Sequence, residues 1–182
     1  MSDNTYNGWG NYETWNANIW ISEGMMDAET MARDCLAEAI EDETNMETAI
    51  SNATDALAEQ MENECSDLCE ETCQQSGLFA DLLTSALSKI NWREIAESYV
   101  KEIPIYATGY NMPGYLPDNE PAIFLDHADA VSCLAENIKN MFEDTDQAEE
   151  AEKLAEQIER EAQHGEPLQA NFGGYVFWIE KF

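Results

Sequence analysis

Basic residues are scarce in this sequence. Its 182 residues include only eight Lys or Arg against 38 Asp or Glu, and the formal net charge is −30. The strongly negative electrostatic field of such a protein repels nucleic acid and anionic lipid, and it speeds encounters with basic surfaces. The charge therefore argues against direct binding to nucleic acid or to a membrane, and it indicates a cationic protein as the partner.

Long apolar runs and catalytic signatures are also missing. No apolar run reaches the roughly 18 residues of a membrane-spanning helix, and the N-terminus lacks the basic and apolar regions of a signal peptide. The sequence contains no H-E-x-x-H, G-x-S-x-G, P-loop or Rossmann glycine pattern. Pairs of carboxylates are expected by chance in so acidic a chain. We therefore expect a cytoplasmic protein that is not an enzyme and that needs no cofactor or metal.

Cysteine and histidine are too few and too poorly spaced for a disulfide scaffold or a zinc site. Five Cys and two His occur, and Cys65, Cys69 and Cys73 follow one another at the spacing of one helix face. Structural zinc sites usually draw ligands from turns with C-x2-C spacing, and His127 and His164 are distant in sequence. We interpret the three thiols as a buried stripe of small side chains and leave any functional role for them open.

The chain does contain enough apolar surface for a core. Apolar residues make up 44% and aromatic residues 10% of the sequence, so its acidic runs do not indicate disorder. The periodicity predicts an α+β fold that is predominantly helical, with about six helices and a small antiparallel sheet formed by strands of the C-terminal half. We predict a single domain, 1–182, with a loose N-terminus at 1–7, a helical acidic part at 8–102, and a small sheet with two helices at 103–182.

Outside the acidic segment, two predicted helices of the first half are rich in apolar residues. Asn11 can cap the first helix. Apolar residues then follow at helical spacing and are expected in the core: Tyr12, Trp15, Ile19 and Trp20. Gly77 is expected to end the long acidic helix, and the apolar residues at 78–90 predict a short helix that is almost wholly buried.

The second half contains strand signals separated by helix signals. Short strands are predicted at 104–107 and 122–125, on either side of a proline-rich loop, and the strongest strand signal lies at 174–180. Asp126 can cap the next helix, which places His127 in a first turn rather than in an active site. A second, charged helix follows this one.

The segment 27–71 is the most acidic part of the chain, with about fifteen acidic residues and Arg33 as its only base. Apolar spacing predicts two helices here, one from 27 to about 41 and one from 45 to about 75. The acids that lie off the apolar stripes are the predicted partner-binding residues: Asp34, Glu38, Glu41, Asp42, Asp55, Glu59, Glu62, Glu70 and Glu71.

The spacing of these acids favours nucleic-acid mimicry. Side chains three or four apart on a helix have Cβ atoms about 5–6 Å apart, which is similar to the separation of successive phosphates on a DNA strand. Like charges at this spacing destabilise the helix, and an ordinary surface helix would mix signs. A different acidic protein-binding role and simple solubility are the alternatives.

Two stretches carry a resemblance to known proteins. Residues 7–21, NGWGNYETWNANIWI, resemble the N-terminal NGWxNYETWN-type signature of small uncharacterised proteins of bacteriophages and mobile elements. Residues 114–121, GYLPDNEP, and the late YVFW at 175–178 resemble segments of small phage proteins. The resemblance implies a phage-type origin and action in a host cell, and it brings no catalytic residue with it. The acidic segment 27–71 lies outside it and is interpreted as a local elaboration.

Charge and resemblance together predict a phage-type counter-defence protein that acts as a DNA mimic, similar in its acidity to anti-restriction proteins. It would block the nucleic-acid-binding groove of a basic host protein, such as a restriction, methylation or CRISPR component. The alternative is an acidic adaptor or inhibitor that engages a host protein outside its nucleic-acid site, through aromatic residues of the second half: Tyr110, Tyr115, Phe172, Tyr175 and Trp178. A homodimer would lengthen the charged surface. The sequence leaves the oligomeric state, the partner, and DNA versus RNA mimicry open.

Overall fold

The chain divides into two compact units, Met1–Ile103 and Pro104–Phe182. This division falls where the sequence periodicity changes from helical to mixed. The organisation of 1–182 as a single domain stays a prediction. The computed structural model describes residues 5–42, 45–72, 77–117 and 120–182.

The first unit is helical. Its described residues form α1 (Tyr12–Trp20), a π-helical segment (Ile21–Met25), α2 (Ala28–Asp42), α3 (Met46–Thr72), α4 (Leu78–Leu87) and α5 (Trp92–Val100). The predicted cap of α1 is confirmed, since the Asn11 side chain accepts a 2.8 Å hydrogen bond from the N–H of Thr14. Asn91 caps α5 in the same way, at 3.3 Å from the N–H of Glu94.

Helices α2, α3 and α5 pack against one another and form the core of the first unit. Each helix contributes fully buried side chains, among them Leu36, Leu57 and Ile95. Most of the buried positions on α2 and α3 are alanines and other small residues, which allow close approach between helices.

The core face predicted for α1 is wrong at two positions. Tyr12 is 51% and Trp20 60% exposed, whereas the buried residues of α1 are Thr14 and Ala17. A π-helical turn follows Trp20, and because such a turn takes an extra residue it shifts the helical phase. Ile21 is consequently the next residue to reach the core, where it is 2% exposed.

The second unit packs two helices on a four-stranded sheet. Its strands are β1 (Tyr106–Asn111), β2 (Ala122–Phe124), β3 (Leu168–Phe172) and β4 (Tyr175–Lys181), and its helices are α6 (His127–Phe142) and α7 (Ala148–Glu161). All strand pairs are antiparallel, in the order β2-β1-β4-β3. Helix α6 contacts the sheet and α7 contacts α6. Phe177 and Leu134 are fully buried between these layers.

The predicted class is confirmed: α+β, predominantly helical, with an antiparallel sheet from the C-terminal half. Two details differ, because the described residues form seven α-helices and a fourth strand, β3. The sequence of β3, LQANF, lacks β-branched residues, and it becomes a strand because it folds back onto β4 through a two-glycine turn. Within the described ranges, no helix combines the length and the apolar character needed to cross a membrane.

Candidate protein-binding surface

The nine predicted partner-binding acids all lie at the surface of the first unit, and we call them the acidic face. Every one of them is exposed. On α2, the acids Asp34, Glu38 and Glu41 repeat at helical spacing on the side opposite the buried residues. Exposure is what a binding role requires, and the binding role itself stays a prediction. The acidic face consists of Asp34, Glu38, Glu41, Asp42, Asp55, Glu59, Glu62, Glu70 and Glu71.

Two residues of the acidic face depart from the expected array. Asp55 forms an ion pair with Arg93 of α5, so part of its charge is compensated within the protein. Glu71 follows Glu70 by one residue and therefore points about 100° away from it around the helix axis. The outward stripe of α3 consists of Glu59, Glu62 and Glu70, together with Asp55, whose charge is partly compensated.

The charge density of this stripe can be compared with that of DNA. At about 1.5 Å per residue, the four carboxylates from Asp55 to Glu70 span about 22 Å. Duplex DNA carries one phosphate per about 3.4 Å of each strand. The stripe of α3 alone is therefore sparser than a single strand, and the acids of α2 are needed to raise the charge of the surface.

The acidic helices of the two units differ in how many bases they contain. In the second unit the bases of α6 and α7 pair with nearby acids: Lys153 with Glu149 at 2.7 Å, Lys139 with Glu159 at 3.8 Å, and Arg160 with Glu161 at 3.2 Å. The hydrogen bond from Lys153, and then its charge, lower the pKa of Glu149. By contrast, α2 and α3 contain one base between them, Arg33. Thirteen acids of α2 and α3 thus share one base, whereas eight acids of α6 and α7 share three.

Helix α4 contradicts the prediction of a buried helix, because none of its residues is buried. Leu78, Phe79 and Leu82 are 69%, 82% and 57% exposed. An apolar run shows where a helix could be covered, but it does not show whether the chain supplies the cover. Gly77 immediately precedes α4. The predicted end of α3 at Gly77 depends on residues 73–76, which lie outside the described residues.

Two surface grooves flank α4. The larger, about 330 Å³, lies between α4, α1 and α3, and we call it the α4 groove; its lining includes Tyr12, Trp20, Cys65, Leu83 and Ala86. The smaller, about 270 Å³, lies on the other side of α4, and its lining includes Glu62, Cys69, Glu70 and Trp92.

The aromatic residues proposed as a second interface belong mostly to internal packing of the second unit. Tyr110, Phe172 and Tyr175 are partly buried and pack against its core. The Trp178 ring lies over Gly109, and its Nε1 donates a 3.0 Å hydrogen bond to Oδ1 of Asn111. Of the five aromatic residues named, Tyr115 is the exposed one, at 72%.

Thiols and histidines do not form a metal site in the described part of the chain, where no three metal-binding side chains come together. Cys65 and Cys69 are partly buried, and burial raises the pKa of Cys65; Cys73 lies outside the described residues. His127 is buried in the first turn of α6, with its Nε2 at 2.9 Å from the Glu166 carbonyl oxygen. Because a carbonyl only accepts hydrogen bonds, this nitrogen carries the proton.

The N-terminal motif holds α1 to α5. The N–H of Gly10 donates to both carboxylate oxygens of Glu94, at 2.9 and 3.2 Å. The Asn11 side chain donates a 2.9 Å hydrogen bond to the Lys89 carbonyl oxygen. The sequence predicted a structural role for this motif, as a helix cap at Asn11 and as core residues, but not these contacts with Lys89 and Glu94.

Comparison with known families gives a match over the first unit. A model described as "Family of unknown function (DUF7249)" matches residues 2–105. The chain belongs to this family. The DUF7249 segment covers the first unit, including both the acidic face and the α4 groove. The segment 27–71 lies inside the family match, and its interpretation as a local elaboration stays a prediction. No curated protein and no solved structure matches the chain.

Proposed function

We propose that the protein is a phage-type counter-defence protein whose acidic face imitates the phosphates of nucleic acid. The face would occupy the nucleic-acid-binding groove of a basic host protein, such as a restriction, methylation or CRISPR component, in the host cytoplasm. The observation that carries the proposal is the near-absence of bases among the acids of α2 and α3, in a protein whose α6 and α7 mix acids with bases. Solubility alone would not require this difference between the two units.

The mechanism is competition rather than chemistry. Lys and Arg side chains that normally contact phosphates would pair with the carboxylates of α2 and α3, and the nucleic acid would be excluded. Exposed charge pairs are screened by salt over a Debye length of about 8–10 Å. Affinity for the partner should therefore fall steeply as the salt concentration rises.

The proposal can be tested with two variants of equal net charge. The first neutralises five residues of the acidic face, away from both grooves: Asp34→Asn, Glu38→Gln, Glu41→Gln, Asp42→Asn and Glu59→Gln. The matched control neutralises five exposed acids of the second unit: Glu143→Gln, Glu150→Gln, Glu152→Gln, Glu156→Gln and Glu166→Gln. Each protein is immobilised, exposed to bacterial lysate and washed, and captured proteins are eluted with duplex DNA.

Mimicry predicts that the native chain and the control variant capture the same nucleic-acid-binding protein, that duplex DNA releases it, and that the acidic-face variant does not capture it. Equal loss from both variants would mean that net charge, rather than the arrangement on α2 and α3, determines capture. A captured protein that keeps its own DNA bound would also contradict mimicry.

The exposed apolar residues of α4 favour a second candidate function, that of an acidic adaptor or inhibitor that engages a host protein outside its nucleic-acid site. In that case the complex should survive raised salt better, because apolar contacts are not screened. A partner that binds DNA and this protein at the same time would support the adaptor.

A further inference from the structure

Helix α4 extends the wall of the α4 groove with exposed apolar side chains. Phe79 is seven residues before Ala86, so the two share one helix face. Ala86 lines the groove, and Phe79 is 82% exposed. Leu82, 57% exposed, lies between them in sequence. Exposed apolar side chains beside an apolar groove favour an interaction site.

The opposite wall is formed by α1 and the π-helical segment. Trp20 and Tyr12 line it and are more than half exposed, and Met25 adds a partly exposed thioether. Half-buried Leu83 and Ile90 also line the groove. Two walls with aromatic rings around an aliphatic lining are suited to the apolar face of a helix, with anchors at i, i+3 or i+4, and i+7.

Helix α3 is acidic around Cys65, the residue through which it lines the α4 groove. Leu68 of α3 is 45% exposed, and Glu64 and Glu71, four residues before and three after it, lie on the same face and are exposed. The smaller groove across α4 is lined by Glu62 and Glu70. Among the described residues, neither groove is lined by Lys or Arg, and Nζ of the neighbouring Lys89 is 3.5 Å from Oε1 of Glu13.

We propose that the α4 groove binds a cationic amphipathic helix of another protein. Apolar side chains of that helix pack against Trp20 and Phe79, and its Lys or Arg side chains pair with Glu64 and Glu71. A second copy of this chain is the weaker candidate because two molecules of net charge −30 repel one another, and an anionic membrane is repelled in the same way. The inference goes beyond mimicry by the acidic face, and none of the five acids chosen to test mimicry lines either groove.

Three synthetic peptides of the same length test this inference on the full chain. The first is a helical Leu/Lys peptide with its leucines on one face. The second has the same composition in a scrambled order, so that its charge is unchanged while its apolar face is lost. The third replaces every Lys of the first with Glu. Affinities are measured by isothermal titration calorimetry at physiological salt.

Binding is located by the thiol of Cys65, which lines the groove. Alkylation of Cys65 at mildly alkaline pH is followed by mass spectrometry, with Cys133 of α6 as the internal reference. The variant Phe79→Ser/Leu82→Ser removes exposed groove residues, and Tyr115→Ser/Leu116→Ser removes exposed residues of the second unit as a matched control. Because all four side chains are exposed, circular dichroism should show native helix content in both variants. Glu64→Gln/Glu71→Gln tests separately the two acids that are proposed to pair with Lys or Arg of the bound helix.

The amphipathic cationic peptide should bind at least about tenfold more tightly than the scrambled peptide, and it should slow alkylation of Cys65 but not of Cys133. Phe79→Ser/Leu82→Ser should remove the difference in affinity between the two peptides, whereas Tyr115→Ser/Leu116→Ser should keep it. Glu64→Gln/Glu71→Gln should weaken binding of the amphipathic cationic peptide and reduce the dependence of its affinity on salt. Equal affinity for the scrambled peptide would overturn the proposal, as would equal affinity for the Glu peptide. A concentration-dependent dimer that Phe79→Ser/Leu82→Ser dissolves would instead assign the groove to a second copy.

Discussion

The hydroxyl oxygen of Thr14 accepts a 2.9 Å hydrogen bond from the backbone N–H of Asn91. Thr14 is fully buried in α1, and Asn91 is the capping residue of α5. This bond and the bond from Asn11 to Lys89 join the starts of two helices that are far apart in sequence. The polar residues of the N-terminal motif thus fix how α1 meets α5.

Replacing Thr14 with Val should destabilise the first unit. Val has nearly the shape of Thr but no acceptor, so the N–H of Asn91 would lose its partner, at a cost of about 1–3 kcal/mol. Thr14→Ser keeps the hydroxyl and should cost less. Urea unfolding followed by tryptophan fluorescence measures both, since most of the tryptophans lie in the first unit. A Ser variant that is as unstable as the Val variant would show that the methyl group matters more than the hydrogen bond.

Neutralising acids of α2 should stabilise the protein. Asp34 and Glu38, and Glu38 and Asp42, are like-charged pairs four residues apart, and each pair costs a few tenths of a kcal/mol. Glu41 and Asp42 also end α2, where a negative charge interacts unfavourably with the helix dipole by about 0.3–1 kcal/mol. Glu41→Gln and Asp42→Asn should therefore each raise the melting temperature. The gain should shrink at high salt, and a fall in stability would mean that these carboxylates make favourable contacts.

Neutralising Glu149 should destabilise the protein, which is the opposite of the effect expected for the acids of α2. The hydrogen bond and charge of Lys153 lower the pKa of this carboxyl in the folded protein. A carboxyl whose pKa is lowered by folding adds stability above its ordinary value of 4.5, and that stability is lost as the pH falls through the lowered pKa. Glu149→Gln should thus destabilise α7 at neutral pH and have no effect in strong acid. Helix content during urea unfolding at several pH values gives the measurement, and Glu150→Gln is the control.

The turn between β3 and β4 provides a matched pair of glycines. Gly173 and Gly174 both have positive φ, but a Cβ on Gly173 would overlap the ring of buried Phe142, whereas a Cβ on Gly174 would meet open space. Each Ala substitution costs about 1–2 kcal/mol for the left-handed backbone. Gly173→Ala should lower the free energy of unfolding by about a further 1–3 kcal/mol, because the Phe142 ring and its neighbours in the core must shift. Thermal unfolding of the two variants should therefore differ, and equal melting temperatures would show that the Phe142 ring moves aside freely.

Local sequence signals predicted the helix starts well, and burial poorly. Asn11 and Asp126 each form the predicted cap, because capping depends on residues within a single turn. Whether an apolar face is covered depends on what packs against it, and α4 shows that no sequence pattern answers that question. The same limit applies to β3, whose pairing with β4 comes from the glycine turn rather than from its own composition.

The positions of the surface acids were predictable from the sequence, but the ion pairs that compensate their charge were not. Helical spacing placed Asp34, Glu38 and Glu59 on the outer sides of α2 and α3, and all three are exposed. The ion pair of Asp55 with Arg93 joins α3 to α5 and could not be read from either helix alone. The α4 groove was missed because its walls come from three separate helices.

Helix α3 has its last buried residue at Met61, although it continues to Thr72. Beyond that point its amide groups are protected by the hydrogen bonds of the helix and not by a core. Hydrogen exchange should therefore be much faster from Glu62 onwards than around Leu57, because local opening there exposes little apolar surface. A partner seated in the α4 groove would slow that exchange, and part of its binding free energy would be consumed in ordering the end of α3.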